Sequence, residues 1–540
     1  MSAGGRPGGR IDGWLALASA LALSAYPPTP LSAQANDTLP VPEGLPTFDT
    51  VVVRNFNIFD DAQAAYFGFM AKLANSLHIR TRAAVIRRTL LIQAGDPYDS
   101  LRVAESERAV RGLGVFRNVV VDTARVGGRL ALRVTTADGW STKPQLGFSS
   151  VGGDQTWDVG MVEQNFLGFA TTAAVLYRST PDRQELELQY VSPKLLFRRA
   201  GLLAQYIDRS DGHRAVWRYG IPFYHTAARR ALVTDGEVSD GRVLVFRDGT
   251  LDTTLTRRAL RFGITAGTAL RATNRDYARL WLGALWRRED LGAEGAVLPR
   301  SEFASVGLGV DLGHARFRVV RRLNSYARRE DVNLSQSLRV GVWAAPRAWG
   351  YPAARAGLGP DVRGQLSSVW RSGFVVLRAN GHGIYTGAGL DSGRARASLT
   401  VVDQGLPRQT WALFVEGGVA ERPRPGTEFD LWLERSGPRL FGAHAFTGER
   451  MWWGMLENRI LVSEEFGGLV GVGLAPFVEW GGAWYADEAP RLGGCAGLAL
   501  RLGPTRAVRG DATEIAVGLR FGRDGIGRGW AFTLRRGFEL

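Results

Sequence analysis

One cysteine, Cys495, stands among 540 residues. A single thiol excludes an intramolecular disulfide and a cysteine-based zinc site, which leaves Cys495 to pack as a small apolar residue. Lysine is almost as scarce. It occurs only at Lys72, Lys143 and Lys194, so 64 of the 67 cationic side chains are arginine. The six histidines, His78, His213, His225, His314, His382 and His444, include no pair at metal-ligand spacing and stand in no nucleophile motif. No Gly-x-Ser-x-Gly elbow occurs. A catalytic centre, a metal and a cofactor are therefore not expected. After the first 30 residues the chain has no run of 18 apolar residues, which excludes a bundle of transmembrane helices.

Glycine and aromatics are abundant instead. The 68 glycines are about 13% of the chain, against a usual ~7%. Tryptophan reaches 16 and aromatics 10%. The two classes rise together in β-barrels and propellers, where small residues let strands bend and aromatics form girdles. With 45% hydrophobic and 22% charged residues the chain is not a disordered tail. The net charge of +15 is spread among glycines and aromatics along the whole length. Genomic base composition is one reason for such a charge; anionic lipid headgroups or lipopolysaccharide are another. A nucleic-acid partner is not expected.

The first 35 residues read as an export signal. Arg6 and Arg10 form a positive start, Trp14 to Tyr26 an apolar stretch, and Pro27, Pro28 and Pro30 break it. Ala33-Gln34-Ala35 supplies the small residues that signal peptidase reads, so cleavage after Ala35 is expected; a short membrane anchor is the alternative. Residues 36–47 are a proline-rich linker.

A small α+β module is expected over 48–138. Val51–Phe59 reads as a strand, and residues 60–80 as a helix-forming insertion with Ala64, Phe67, Met70 and Leu73 on its apolar face. Thr81–Ile92 carries Ala84, Val85, Leu91 and Ile92 at helical spacing, ended by Gly95-Asp96-Pro97. Asp99 or Ser100 can cap a second helix that runs to about Leu113. Val115–Asp122 and Arg129–Thr135 are strands joined by a turn at Gly127-Gly128.

From residue 139 to 540 the pattern is that of a transmembrane barrel, apolar at every second position. Leu186, Leu188 and Tyr190 oppose Glu185, Glu187 and Gln189. Leu280, Leu282 and Trp286 oppose Arg279 and Arg287. Leu334, Leu338, Val340 and Val342 oppose Ser335, Ser337 and Arg339. Ile515, Val517, Leu519 and Phe521 oppose Glu514 and Arg520. At roughly 25 residues per strand and loop, about 16 antiparallel strands are expected. At the end of the chain Trp530, Phe532, Leu534, Phe538 and Leu540 share one face of a final strand.

Several motifs carry a family resemblance. In the module they are Ile86-Arg87-Arg88, Gly95-Asp96-Pro97-Tyr98, and Gly112-Leu113-Gly114-Val115-Phe116 leading into Val119-Val120-Val121. In the barrel, Glu163, Asn165, Phe166 and Gly168 follow an E-x-N-F-x-G pattern. Gly437, Arg439 and Phe441, in Gly-Pro-Arg-Leu-Phe, follow a V/L-R-G-F/Y loop with Leu440 in place of glycine. Phe477-Val478-Glu479-Trp480-Gly481 follows F-x-D-x-G with Glu479 for aspartate, and Met455 to Arg459 follows N-x-E-x-R with Met455 for asparagine. Together they resemble the BamA/TamA outer-membrane assembly superfamily: a periplasmic POTRA domain followed by a surface-antigen-type barrel. The C-terminal strand resembles the signal by which outer-membrane barrels are recognised.

The resemblance implies an outer-membrane protein with its N-terminal domain in the periplasm. It implies a loop folded back into the lumen, with Glu457 and Glu479 as ion-pair partners of Arg439. The implied function is assembly, insertion or translocation of an unfolded outer-membrane or secreted polypeptide, bound at a sheet edge and passed to a weak seam between the first and last strands. Outer-membrane lipid and accessory lipoproteins are the further partners implied. A two-partner secretion pore for a dedicated substrate and a passive porin are the alternatives.

Overall fold

The computed structural model describes residues 46–151, 154–195, 200–293, 296–297, 301–351, 357–385, 390–434, 436–508, 512–522 and 526–536. The expected export signal, most of the linker, and Phe538 and Leu540 of the C-terminal strand lie outside the described residues.

The N-terminal domain contains β1 (Thr50–Phe56), α1 (Asp61–Phe67), α2 (Phe69–Leu77), α3 (Ala83–Thr89), α4 (Ser100–Arg111), β2 (Phe116–Val126) and β3 (Arg129–Asp138). Local chemistry sets these boundaries. Asp60 and Gln63 form a reciprocal capping box at the start of α1. Gly68, at φ +58, separates α1 from α2. The Asp99 carboxylate accepts from the Leu101 and Arg102 N–H groups at the start of α4. The sheet order is β1-β3-β2, with β1 parallel and β2 antiparallel to the central β3. Val119, Val121, Leu132 and Val134 bury one face of the sheet against Ile86, Leu90 and Val110. Both β1 and β2 are therefore edge strands.

The barrel begins with β4 (Thr142–Val151), β5 (Asp154–Glu163), β6 (Thr172–Ser179), β7 (Gln184–Leu195), β8 (Ala200–Arg209), β9 (Gly212–Ile221), β10 (Arg230–Arg247), β11 (Thr250–Ala272) and β12 (Asp276–Ala293). The short β13 (Ala296–Val297) precedes β14 (Ser301–His314), and a small hairpin, β15 (Phe317–Arg321) and β16 (Arg329–Asn333), follows it. Next come β17 (Gln336–Ala345), β18 (Gly357–Val369), β19 (Gly373–Tyr385), β20 (Leu390–Asp403) and β21 (Gln409–Glu421). A long loop holds β22 (Phe429–Asp430) and β23 (Thr447–Gly448), and the wall closes with β24 (Arg450–Phe466), β25 (Val470–Trp484), β26 (Leu492–Pro504), β27 (Thr513–Gly522) and β28 (Gly529–Arg536).

The wall is a closed antiparallel barrel of twenty strands among the described residues, apart from the two-residue β13. This corrects the expectation of about 16. Alternation reveals strands but not connection lengths, and many hairpins here are tight. Ser210 and Asp211 join β8 to β9, and Asp248 and Gly249 join β10 to β11. The spacing is thus nearer 20 residues per strand.

The outer face exposes Leu146, Trp157, Val159, Met161, Leu188, Leu282, Leu308, Val342, Leu456, Val517 and Leu519, while Glu185, Glu289, Arg279 and Glu514 are buried inside. That is the division a barrel solvated by lipid requires. Leu334 departs from the sequence reading. It precedes β17, faces the interior and packs with Leu323, Phe374, Val376 and Val402. The domain lies at the end where β4 begins, called here the domain end; the other is the far end. No helix among the described residues is long and apolar enough to cross a membrane.

Two loops fill the lumen. From the far end, residues 422–449 fold inward between β21 and β24. From the domain end, residues 315–335 do the same. Tyr326 from this second loop lies over Gly471 and Gly473 of β25, its hydroxyl donating to the Arg501 carbonyl, where side chains at either glycine would collide with the ring.

Candidate functional site

Arg439 lies in the far-end loop, with its side chain fully enclosed in the lumen. Its Nη2 meets Glu457 at 2.8 Å, its Nε meets Glu479 at 2.7 Å, and its Nη1 meets Glu514 at 3.2 Å. Its backbone N–H also donates to Glu479, at 2.6 Å. The carboxylates come from β24, β25 and β27, so one guanidinium ties the loop to three wall strands. The strand period of two places Met455, Glu457 and Arg459 together on the inner face.

Two further arginines complete the cluster. Arg459 Nε meets Glu457 at 2.7 Å, and Arg501 Nε meets Glu514 at 3.1 Å from the directly opposed position on β26. Three cations thus face three anions. Burying charge demands this pairing. Phe477 lies under the Arg439 guanidinium, 4.0 Å from its ring centroid, and the Cys495 thiol lies 3.6 Å from Glu479.

Small wall residues make room for the loop. A Cβ at Gly518 would come within 2.9 Å of Leu440, and one at Gly493 within 2.8 Å of Phe441. Ala475, Cys495, Ala499 and Ala516 pack into the same core. Leu440, where the resembled motif has glycine, fills this hollow and is fully buried. Gly437 adopts φ +105, and a side chain there would strike Leu431. Phe441 packs against Phe446 at 5.0 Å between centroids.

The loop has other anchors. Arg424 meets Glu289 of β12 at 3.1 Å, and Arg394 of β20 meets Glu434 at 2.6 Å. His444 lies between Asp430, at 2.5 Å, and Asp182 of the β6–β7 turn, at 3.0 Å, stacked on Phe246. It sits in the loop, outside the wall strands. Burial opposes its charge, but Asp430 and Asp182 outweigh that and raise its pKa to about 10.

Glu163, Asn165, Phe166 and Gly168 form the joint between domain and barrel. Glu163 accepts from the Thr142 hydroxyl at 2.5 Å and from the Asn165 N–H at 2.6 Å. Asn165 accepts from the Ala170 N–H, closing the β5–β6 turn, and donates to the Ile79 carbonyl and the Thr81 hydroxyl. Gly168 stands at φ +77, with the Arg80 carbonyl 2.7 Å from where a Cβ would be. Arg82 donates to the Leu167 carbonyl and lies over Phe169. Phe166 is exposed. On the domain's other side Arg111 of α4 makes a bidentate pair with Asp331 of β16, both bonds 2.8 Å. The loop carrying Asp331 also offers its Leu323 carbonyl to Arg459, 2.5 Å away. A continuous chain of contacts therefore runs from α4 to Arg439.

The seam joins β28 to β4 through three residue pairs, Phe532–Ser150, Thr533–Ser149 and Leu534–Phe148, among the described residues. The neighbouring β4–β5 pair has ten. Trp530 and Phe532 point outward beside the seam, with Leu534 partly covered.

Sequence reasoning placed Arg459 in a motif without giving it a role, and did not name Glu514 or Arg501 for this site. Glu514 reads as one more inward position of an alternating strand; its signal is that Arg501 stands opposite once the register is known. Among the described residues no three histidine, cysteine or acidic side chains cluster as metal ligands.

No family model matches the chain, and no curated protein matches it. Solved structures do. CdiB from Escherichia coli shares 11% identity over 95% of this chain and 96% of that one, with a TM-score of 0.44. CdiB from Acinetobacter baumannii shares 10% over 97% and 96%, with 0.41. BamA from Haemophilus ducreyi lacking POTRA domains 1–3 shares 12% over 90% and 85%, with 0.35. At these identities and scores the similarity is one of barrel architecture, and the functional reading rests on this chain's own residues.

Proposed function

We propose that this protein is an outer-membrane assembly or translocation factor. In this reading it is exported, and its N-terminal domain is a POTRA-type module in the periplasm. The domain end of the barrel then faces the periplasm and the far end the cell exterior. A client polypeptide docks as an extra strand on the module and is passed to the seam.

The seam is the observation that carries this reading. Among the described residues, three pairs join β4 to β28 against ten between β4 and β5, and strand-edge groups outside a ladder are a template for an incoming strand. The module adds two edges in the same end of the molecule. One edge amide of β2, Val121 N–H, already donates to Glu107, so β1 is the edge offered to clients. Backbone pairing tolerates many sequences, as an assembly factor needs. No catalytic step and no cofactor belongs to the mechanism. A passive porin fits less well, because described loops fill the lumen from both ends.

Photocrosslinkers placed along β1 in the full-length protein in cells test this. Capture of unfolded outer-membrane or secreted polypeptides, weakened by proline substitution in β1, is the expected result. Absence of any polypeptide adduct from every β1 position overturns it.

A further inference from the structure

The helices α1 and α2 carry two apolar faces. One, with Phe67, Ala71 and Ala74, packs against Ile58 and Phe59. The other consists of Phe69, Leu73 and Leu77, at the four-residue spacing of a helical stripe along α2, with Tyr66 of α1 beside them across Gly68. Among the described residues none covers it: Tyr66 is 84%, Phe69 74%, Leu77 67% and Leu73 38% exposed. A stripe of this kind on a water-soluble domain is an interaction surface.

Its position names the occupant. Phe67 packs on Gly468 in the β24–β25 turn, next to exposed Phe466 and Leu469. Exposed Ile79, just past the other end, packs at Gly168 in the β5–β6 turn, among exposed Phe166, Leu167 and Phe169. Those turns border the outer faces of β24 and β5, whose Leu456, Val462, Trp157, Val159 and Met161 are exposed. The helices thus cross from one turn to the other past the ends of β28 and β4, where the seam opens. The stripe runs between two turns that carry exposed apolar residues of the wall. Lys72, Arg80 and Arg82 are exposed beside it, placed to reach lipid phosphates while the apolar side chains lie deeper.

We propose that α1 and α2 form a membrane-surface element: the Tyr66–Phe69–Leu73–Leu77 stripe lies in the leaflet at the domain end, beside the seam, with anionic phospholipid headgroups paired to Lys72, Arg80 and Arg82. This fixes the domain against the bilayer at the seam. It requires only that the barrel sits in a membrane, and holds whether or not the protein handles clients.

The test uses the full-length protein in bilayer nanodiscs of phosphatidylcholine mixed with phosphatidylglycerol. Nitroxides are attached at Phe69→Cys, Leu73→Cys or Leu77→Cys, with Arg125→Cys in the β2–β3 hairpin as an aqueous control. The native thiol, Cys495, is buried. The expected result is a several-fold loss of collision with a water-soluble nickel chelate at the three stripe positions, with oxygen collision raised, and no change at the control. Equal nickel access at stripe and control positions overturns the proposal. So does shielding that appears only when an unfolded polypeptide is added, which assigns the stripe to a client. Lys72→Glu with Arg80→Glu is expected to reduce shielding more in the anionic bilayer than in pure phosphatidylcholine; equal loss in both overturns the headgroup pairing. Boiled and unboiled gel mobility verifies that each variant has a closed barrel.

Discussion

Removing Arg439 is the sharpest perturbation of the lumen site. In Arg439→Ala the cluster passes from three cations and three anions to two cations and three anions. Glu457 keeps Arg459 and Glu514 keeps Arg501. Glu479 loses its 2.7 Å bond to the Arg439 guanidinium and keeps the backbone N–H of residue 439. Removing one partner from a buried ion-pair cluster costs about 3–5 kcal/mol. The cost falls on the far-end loop, because the wall retains its backbone ladder. Arg439→Lys restores the charge but cannot span three strands, so about half the loss remains, on the order of 2 kcal/mol. The assay is urea-dependent protease nicking of the far-end loop, with barrel closure followed separately by gel mobility. Loop release is expected at lower urea in the order alanine, lysine, unsubstituted protein. A double-mutant cycle with Glu479→Gln is expected to give a coupling of at least about 1.5 kcal/mol. Identical release in all variants, or effects that add within ~0.5 kcal/mol, refutes the account of the loop as held by this arginine.

The other predictions concern the loop's second anchor and the domain. His444 has a folded pKa raised to about 10, so its stabilisation is fully present below the usual histidine value of ~6.5 and is lost as pH rises through about 10. Nicking of the loop is expected to rise across that interval, and His444→Gln to flatten the rise; a pH-independent unsubstituted protein contradicts this. Arg111→Ala removes a partly buried bidentate pair worth about 1.5–3 kcal/mol, together with its i,i+4 pair to Glu107 in α4, and is expected to speed amide exchange in residues 315–335; unchanged exchange there separates the domain from the lumen loop. Glu479→Asp is expected to be the mildest change in the cluster, measured by the same urea series, because the resembled motif carries aspartate at that position.

Lipid and water impose opposite demands on alternate residues, so strands such as β7 and β27 are plain in the amino-acid order: Leu186 and Leu188 point out, Glu185 and Glu514 in. Turn chemistry marks the N-terminal domain in the same way, through Gly127-Gly128 and the Asp99 cap. The number of strands is not readable, because hairpin length is set by local turn geometry that alternation does not encode. Nor is the inward fold of residues 315–335, whose Leu334 reads as a wall residue until Phe374 and Val376 are seen packed against that loop. The structure brings Arg439 together with Glu457 and Glu479, the partners that the resemblance implies, and adds Glu514, which has no motif of its own. His444, a plain loop residue by sequence, acquires its role from Asp182, 262 positions away.

In the proposed mechanism the barrel works through a seam that parts. Ser149 and Thr533 are paired across it, so Ser149→Cys with Thr533→Cys puts one thiol on each side of the seam for oxidation to lock. Cells dependent on this double variant are expected to assemble outer-membrane or secreted clients normally under reducing conditions and to accumulate unassembled clients when the disulfide forms. Either single cysteine variant is expected to be indifferent to oxidation. Full client assembly with the disulfide demonstrably closed contradicts the account.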